Sequence, residues 1–392
     1  QALLDISAQL ASQPAAPGES AASGSLRINN RRSGAFDRHL LPVDSLHTRL
    51  NWQGERLAFD GLVLALAGGG QLKGQGSFVN RQVELKLMAQ GINARALHGR
   101  LLPTKLAGPL GAQLGGDSQQ IELDLRDAHY AVKARASLTP ESVELSQLQL
   151  ATGDARLSAQ GRLALTGEQR FTAQGRLQNF DPARFLQTKG VVRSVISADL
   201  EAKGALNPVL DLALHFDLRD CRIGDQKLAG KGDVDLRGSQ LRKVDVDLDA
   251  AGNHLTALGA FGKAGDTLRV KLLAPKLEAL GWPGMAGDAN ANLVVAGSVA
   301  SPEFSGELQA NRLRLATLLD LKGLSLNAQL GAGAQGKLAG LLRCAGCALP
   351  DYGIPALALE LKADGLRSMH HLSGVIGLPE KRELRVAFDG GL

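Results

Sequence analysis

Aromatic side chains are scarce in this sequence: ten Phe, two Trp and two Tyr in 392 residues, 4% of the chain. Compact sandwiches lean on buried aromatics, which hide large areas and fix packing, so this composition does not build a filled globular core. Cysteine is scarcer still, at three, which excludes a disulfide scaffold. Charge of one sign never accumulates. The net charge is +5 with Lys and Arg scattered singly, so a nucleic-acid surface is not indicated. A weak attraction to anionic membrane surfaces is compatible with that balance. No apolar run approaches the roughly 20 residues of a membrane helix; "GLVLALAGGG", residues 61–70, is the longest. The opening "QALLDISAQL" lacks a charged leader region and reads as a strand. The expectation is a segment of a longer protein, with any signal or anchor outside it.

Catalytic patterns are missing as well. There is no GxSxG, HExxH or P-loop, and the three glycines at 68–70 follow a strand without opening a helix. No enzyme, catalytic residue, cofactor or metal is expected. Cys344 and Cys347 in "RCAGC" read as a loop with two incidental thiols, a small disulfide, or half a zinc site with His370 and His371. The histidine pair itself reads as a solvated strand end, and Cys221 in "LRDCRIGD" as a small strand residue.

What is present is glycine, 47 of them, and alternation. "VELSQLQLATGDARLSAQGRLAL", residues 143–165, runs apolar, polar, apolar, the period-2 signature of strands with one buried face. Leu148 and Leu150 fall one position out of phase with Val143 and Leu145, which predicts a bulge near Gln147. Thr152-Gly153-Asp154 supplies the turn.

Similar hairpins recur, with the second strand entered at Leu72, Leu157, Leu255 and Leu372, spacings of 85, 98 and 117 residues. After three of them come a further strand and a segment of helical character about two turns long: "NARALHGRL", "DPARFLQTKG" and "PKLEALGWPG". Asp181 is placed to cap the middle one, with Pro182 in its first turn. Two later strands end in Gly204 and Gly297, with turns marked by Pro208 and Pro302. The chain thus reads as one continuous segment, 1–392, with approximate units 24–110, 111–195, 196–290 and 291–392.

Three short helical pieces cannot roof about two dozen strands, and the stacked ladders of a sealed β-helix are absent. An all-β, elongated and curled repeat sheet is left, an open groove with a few short helices and an aliphatic inner wall. Parity assigns Leu145, Leu163, Leu165, Leu200, Val246, Leu248, Leu293, Val295, Leu357 and Leu359 to that wall. Such a wall is suited to phospholipid acyl chains, because it exchanges hydrocarbon for hydrocarbon and buries no charge.

The stretches "GSLRINNRRSGAFDRHLLPVDSL", "LNWQGERLAFDGLVLALAGGGQLKGQG" and "GSVASPEFSGELQANRLRL" resemble the TamB family, relatives of the AsmA-like and bridge-like lipid-transfer proteins. The resemblance runs from about Gly24 to Leu392 and points to a central-to-C-terminal stretch. It implies a β-taco groove in the periplasm of a Gram-negative bacterium. The groove would be anchored in the inner membrane by an N-terminal helix outside this chain and reach the outer-membrane Omp85-type partner TamA through regions also outside it. Phospholipid transport between the membranes is the implied function. Scaffolding the assembly of outer-membrane β-barrels and autotransporters is the alternative, and a secreted structural β-solenoid a remote one.

Overall fold

The computed structural model of the chain describes residues 3–14, 21–187, 193–224, 226–378 and 382–391. The expected all-β class holds. The chain divides into two compact units, Gln1–Lys189 and Gly190–Leu392. Among the described residues the first unit contains twelve strands and three one-turn helices, the second fourteen strands and two such helices.

Within each unit, successive strands pair antiparallel. One exception breaks the order: the three-residue strand Met285–Gly287 pairs with Ser301–Leu315, leaving Thr267–Ala274 to pair directly with Ala289–Ser298. Among the described residues the pairing is not closed. Leu4–Gln13 pairs with Ala21–Asn30 alone, and Arg382–Gly390 with Met369–Leu378 alone.

Alternation explains the strands, and bulges keep their faces consistent. Ser142–Thr152 and Ala155–Ala164 form the expected hairpin, turning at Gly153 with φ 56°. Against the preceding strand, the register of Ser142–Thr152 shifts between Leu145 and Gln147. Leu145 then faces Ala136, Leu148 faces Ala134 and Leu150 faces Val132. The extra residue returns both out-of-phase leucines to the face of Val143 and Leu145, where an unbulged strand would have turned them over. Similar shifts sit at Phe59/Leu62 and Ala89/Ile92.

The helical segments fall where expected but are one turn long, at Ala94–Leu97, Pro182–Arg184 and Leu277–Leu280. Asp181 caps the middle one, its carboxylate accepting from the Ala183 N–H at 3.0 Å, with Pro182 in first position. Each links two strand ends, and nothing beyond that turn supports further helix. Two more turns, Phe36–Arg38 and Pro350–Tyr352, carry no helical pattern in the sequence. In each unit every one of these turns follows a strand running the same way, so all line one end of the strands.

That end holds two of the three buried clusters. Leu66, Ala89, Ile92, Leu106 and Leu125 cluster there in the first unit, with Leu97 of the helical turn packed against them. Ala274, Leu277 and Ala289 form one cluster in the second unit, and Ala310, Leu324 and Cys344 another. In the first unit the other strand ends leave Trp52, Phe78, Ile121, Leu138 and Leu165 exposed. Accessible surface totals 23311 Å². Two separate compact bodies sharing the same mass would expose only roughly 18,000 Å². The excess is sheet surface that no second layer covers.

Cys344 and Cys347 lie inside the strand Lys337–Leu349, not in a loop, and are joined to each other. Residues three apart in a strand normally face opposite ways. Here the register against Ile354–Leu366 shifts between them, which brings both sulfurs to one face beside Leu342 and Leu359. Closing so small a ring contributes about 2 kcal/mol or less in the chain-entropy picture. Calorimetry with and without dithiothreitol is therefore expected to show the second unit losing about 1–2 kcal/mol on reduction while the first is unmoved. An unchanged second transition would make the bond incidental.

Candidate functional site

Within each unit, register places the candidates that lie in strands on one face. In the second unit, directly paired residues run Leu200, Phe216, Gly232, Val246, Ala257, Val270, Leu293, Gly306, Ala328, Gly340, Ala363, Leu372 and Phe388. This single row crosses thirteen strands, roughly 55–60 Å measured along the sheet, and contains no polar side chain. Three of the ten candidates, Leu200, Val246 and Leu293, lie in it. Leu248 and Val295 stand in the rows on either side, paired with Leu255 and Leu268. Leu359 faces Cys344 and Leu357 faces Cys347 on the same face.

The first unit repeats the arrangement. Leu62, Gly74, Leu87, Leu110, Leu123, Ala134, Leu148, Ala159 and Gly175 pair in succession across nine strands. Leu145 belongs to the neighbouring row with Ala136 and Gly161, and Leu163 to the next, between Val143 and Phe171. Leu165 sits just past the strand end and is exposed. Apart from Leu165, the ten are partly buried, as on a wall with one open side.

Glycine explains how bulky side chains share this face. At Gly232 an added Cβ would stand 2.5 Å from the Phe216 ring and 3.0 Å from Val246. A large residue is accommodated because its cross-strand neighbour has no side chain. Parity within "LALHF" does put Phe216 in phase with Leu212 and Leu214, but its pairing with Leu200 and Gly232 needs register.

The opposite face carries the charge. Glu122 meets Arg135 at 2.9 Å, Arg343 meets Glu360 at 3.1 Å, and Arg312 and Arg314 converge on Asp320 at 3.0 and 3.1 Å. The Arg312 hydrogen bond holds the Asp320 carboxyl below the usual carboxylate range, and Arg219 does the same for Asp217. These exposed pairs add little stability. Their consequence is segregation: the apolar rows named above carry no acid, base or nucleophile.

The remaining singled-out residues have local partners. His371 Nδ1 lies 2.8 Å from Asp389, and His370 Nδ1 3.2 Å from the Arg367 carbonyl. Disulfide sulfurs have no thiolate to offer a metal. His370 also stands six residues along its strand from Ile376, the residue in register with Leu359 and Cys344, a separation of roughly 20 Å. Cys221 is buried in Asp211–Ile223, where desolvation raises its thiol pKa and the Ser197 N–H donates to its sulfur at 3.2 Å.

A family model described as the N-terminal domain of TamB matches residues 113–374, more than half of the chain. The chain belongs to the TamB family. The matched model is that of the family's N-terminal domain, where the sequence resemblance points to a central-to-C-terminal stretch. No curated protein and no solved structure matches the chain. Membership sets this TamB-family chain in the context of outer-membrane biogenesis, a role of transport and assembly in the cell envelope. No helix among its described residues is long and apolar enough to cross a membrane.

Proposed function

We propose that the apolar face of this TamB-family chain holds the acyl chains of phospholipids and carries them through the periplasm between the inner and outer membranes. The observation that supports this is the unbroken row from Leu200 to Phe388, thirteen strands without a polar side chain. Water meets such a row at a cost of about 25 cal/mol per Å². Hydrocarbon removes that cost without leaving a hydrogen bond unmade. The ten candidate residues are the lining in this reading, and the helical turns close one end of the strands over it. Attachment to the inner membrane and to TamA would come from regions outside the chain.

Scaffolding of outer-membrane β-barrel assembly is the second reading. A client strand adds to a free sheet edge, and within each unit the inner strands have both edges occupied by neighbours. The apolar face, by contrast, runs unbroken across the paired strands of each unit. Mass spectrometry of the chain purified from a bacterial host separates the readings. Phospholipid in stoichiometric amounts supports carriage, whereas lipid-free protein retaining unfolded outer-membrane polypeptide would replace it with the scaffold.

A further inference from the structure

The charged face of the first unit has a cavity of about 380 Å³ that the apolar rows do not explain. Its geometry follows from side-chain length. Two rows pair across this part of the sheet, Arg126–Ala131–Ala151–Arg156–Gln178 and Asp124–Lys133–Gln149–Ser158–Arg176. Ala131 and Ala151 face each other where long polar residues usually stand, and Ser158 is short as well. Long side chains surround these three, so the middle of the patch is a depression with a raised rim.

The rim is unbalanced in charge. Arg126, Lys133 and Arg156 line the cavity against one carboxylate, Asp124, and Arg176, which has an interaction of its own, completes the rim. Asp124 is already met by Arg126, at 3.1 and 3.3 Å through two nitrogens. Arg156 uses one nitrogen on the carbonyls of Gly153 and Ala155, at 2.6 and 3.0 Å, which fixes the guanidinium at the rim. A second cavity on the charged face, about 180 Å³, sets Arg56 and Lys86 against Asp60 and Glu84 and is neutral. That second cavity lacks the excess positive charge of the depression.

We propose that this depression is an anion site that takes a phosphate group through Lys133 and Arg156. A guanidinium matches the paired oxygens of phosphate, and a guanidinium and an ammonium beside one small floor suit two or more negative charges better than a single carboxylate. The volume lies within the range of small-molecule sites. The alanine floor leaves room for the organic part of a phosphate ester. Its charged side chains stand on the opposite face of the strands from the apolar rows, and Val132, Leu150 and Leu157 complete its lining.

Calorimetric titration of the full chain with inorganic pyrophosphate tests it, alongside flotation with vesicles of phosphatidylglycerol or of phosphatidylcholine alone. One saturable site is expected, weakening as salt rises. The pair Lys133→Glu and Arg156→Glu should weaken it more than tenfold. The control pair Lys231→Glu and Lys271→Glu, the same charge change on exposed residues of the second unit, should leave it intact. If the glutamate pair alters the far-UV spectrum, Lys133→Gln with Arg156→Gln takes its place. Retention on phosphatidylglycerol vesicles, lost in the same pair, assigns the phosphate to a lipid headgroup. Pyrophosphate binding without vesicle retention assigns it to a free phosphate compound. Absence of both kinds of binding overturns the proposal, as does equal binding by the site pair and the wild type or equal loss in the control pair.

Discussion

Leu145→Arg is expected to fold and to lose phospholipid. Leu145 stands between Ala136 and Gly161, whose small side chains leave room for a guanidinium without overpacking. A cation against hydrocarbon costs on the order of 2–3 kcal/mol even on permissive scales, which is a factor of roughly 30 to 150 in occupancy or rate. An open wall lets the arginine reach water, so stability should change little. Gln160→Arg is the matched control. Gln160 points to the charged face of the next strand, exposed and bonded to Gln174 at 2.9 Å, and arginine there should be silent. The measurements are bound phospholipid by mass spectrometry and uptake of fluorescent-acyl phospholipid from vesicles. Full uptake by a folded Leu145→Arg protein would sink the acyl-chain reading. Global unfolding would show a sealed core in place of an open wall.

Gly74→Val is expected to destabilise the first unit by about 2–3 kcal/mol. Gly74 lies on the apolar face between Leu62 and Leu87. An added Cβ would stand 2.0 Å from the Lys86 carbonyl oxygen and 2.9 Å from the Leu87 Cα. Both are backbone atoms of the neighbouring strand, which cannot retreat without losing ladder hydrogen bonds. The melting temperature of that unit should fall on the order of 5–10 °C. Gly111 offers the contrast. It sits on the charged face between Lys86 and Glu122, and a Cβ added there would have nothing within 4 Å. Gly111→Thr should be neutral or up to about 1 kcal/mol stabilising. Equal melting of the two variants would remove the argument that strand glycines are there for their neighbours' backbones.

Much of the local structure is legible along the chain. Period-2 alternation marks the strands, a phase slip marks the bulge beside Gln147, and the Asp181-Pro182 pair marks a capped turn. Each depends on residues within a few positions of one another. The parity of the nine candidates that lie in strands is legible for the same reason, since alternation assigns faces without reference to partners. Helix length is not, because the turns at Ala94–Leu97 and Leu277–Leu280 end where the chain must enter the next strand. The cysteine pair reads as a loop because "RCAGC" has no apolar alternation, and only the register shift against Ile354–Leu366 brings its sulfurs to one face of a strand.

Sequence by itself determined the all-β class and the segregation of an aliphatic face from a charged one. These follow from composition and from the two-residue period of a strand, which no partner can alter. Tertiary structure decided which residues share a row. Leu200 and Leu293 are 93 positions apart and meet only through the registers of five intervening strands. The same holds for Ala131 and Ala151, which are ordinary alone and make the floor of a basic depression only when paired. Pairing is non-local, set by where each turn and bulge falls, and a shift of one residue in any strand would redraw every row beyond it.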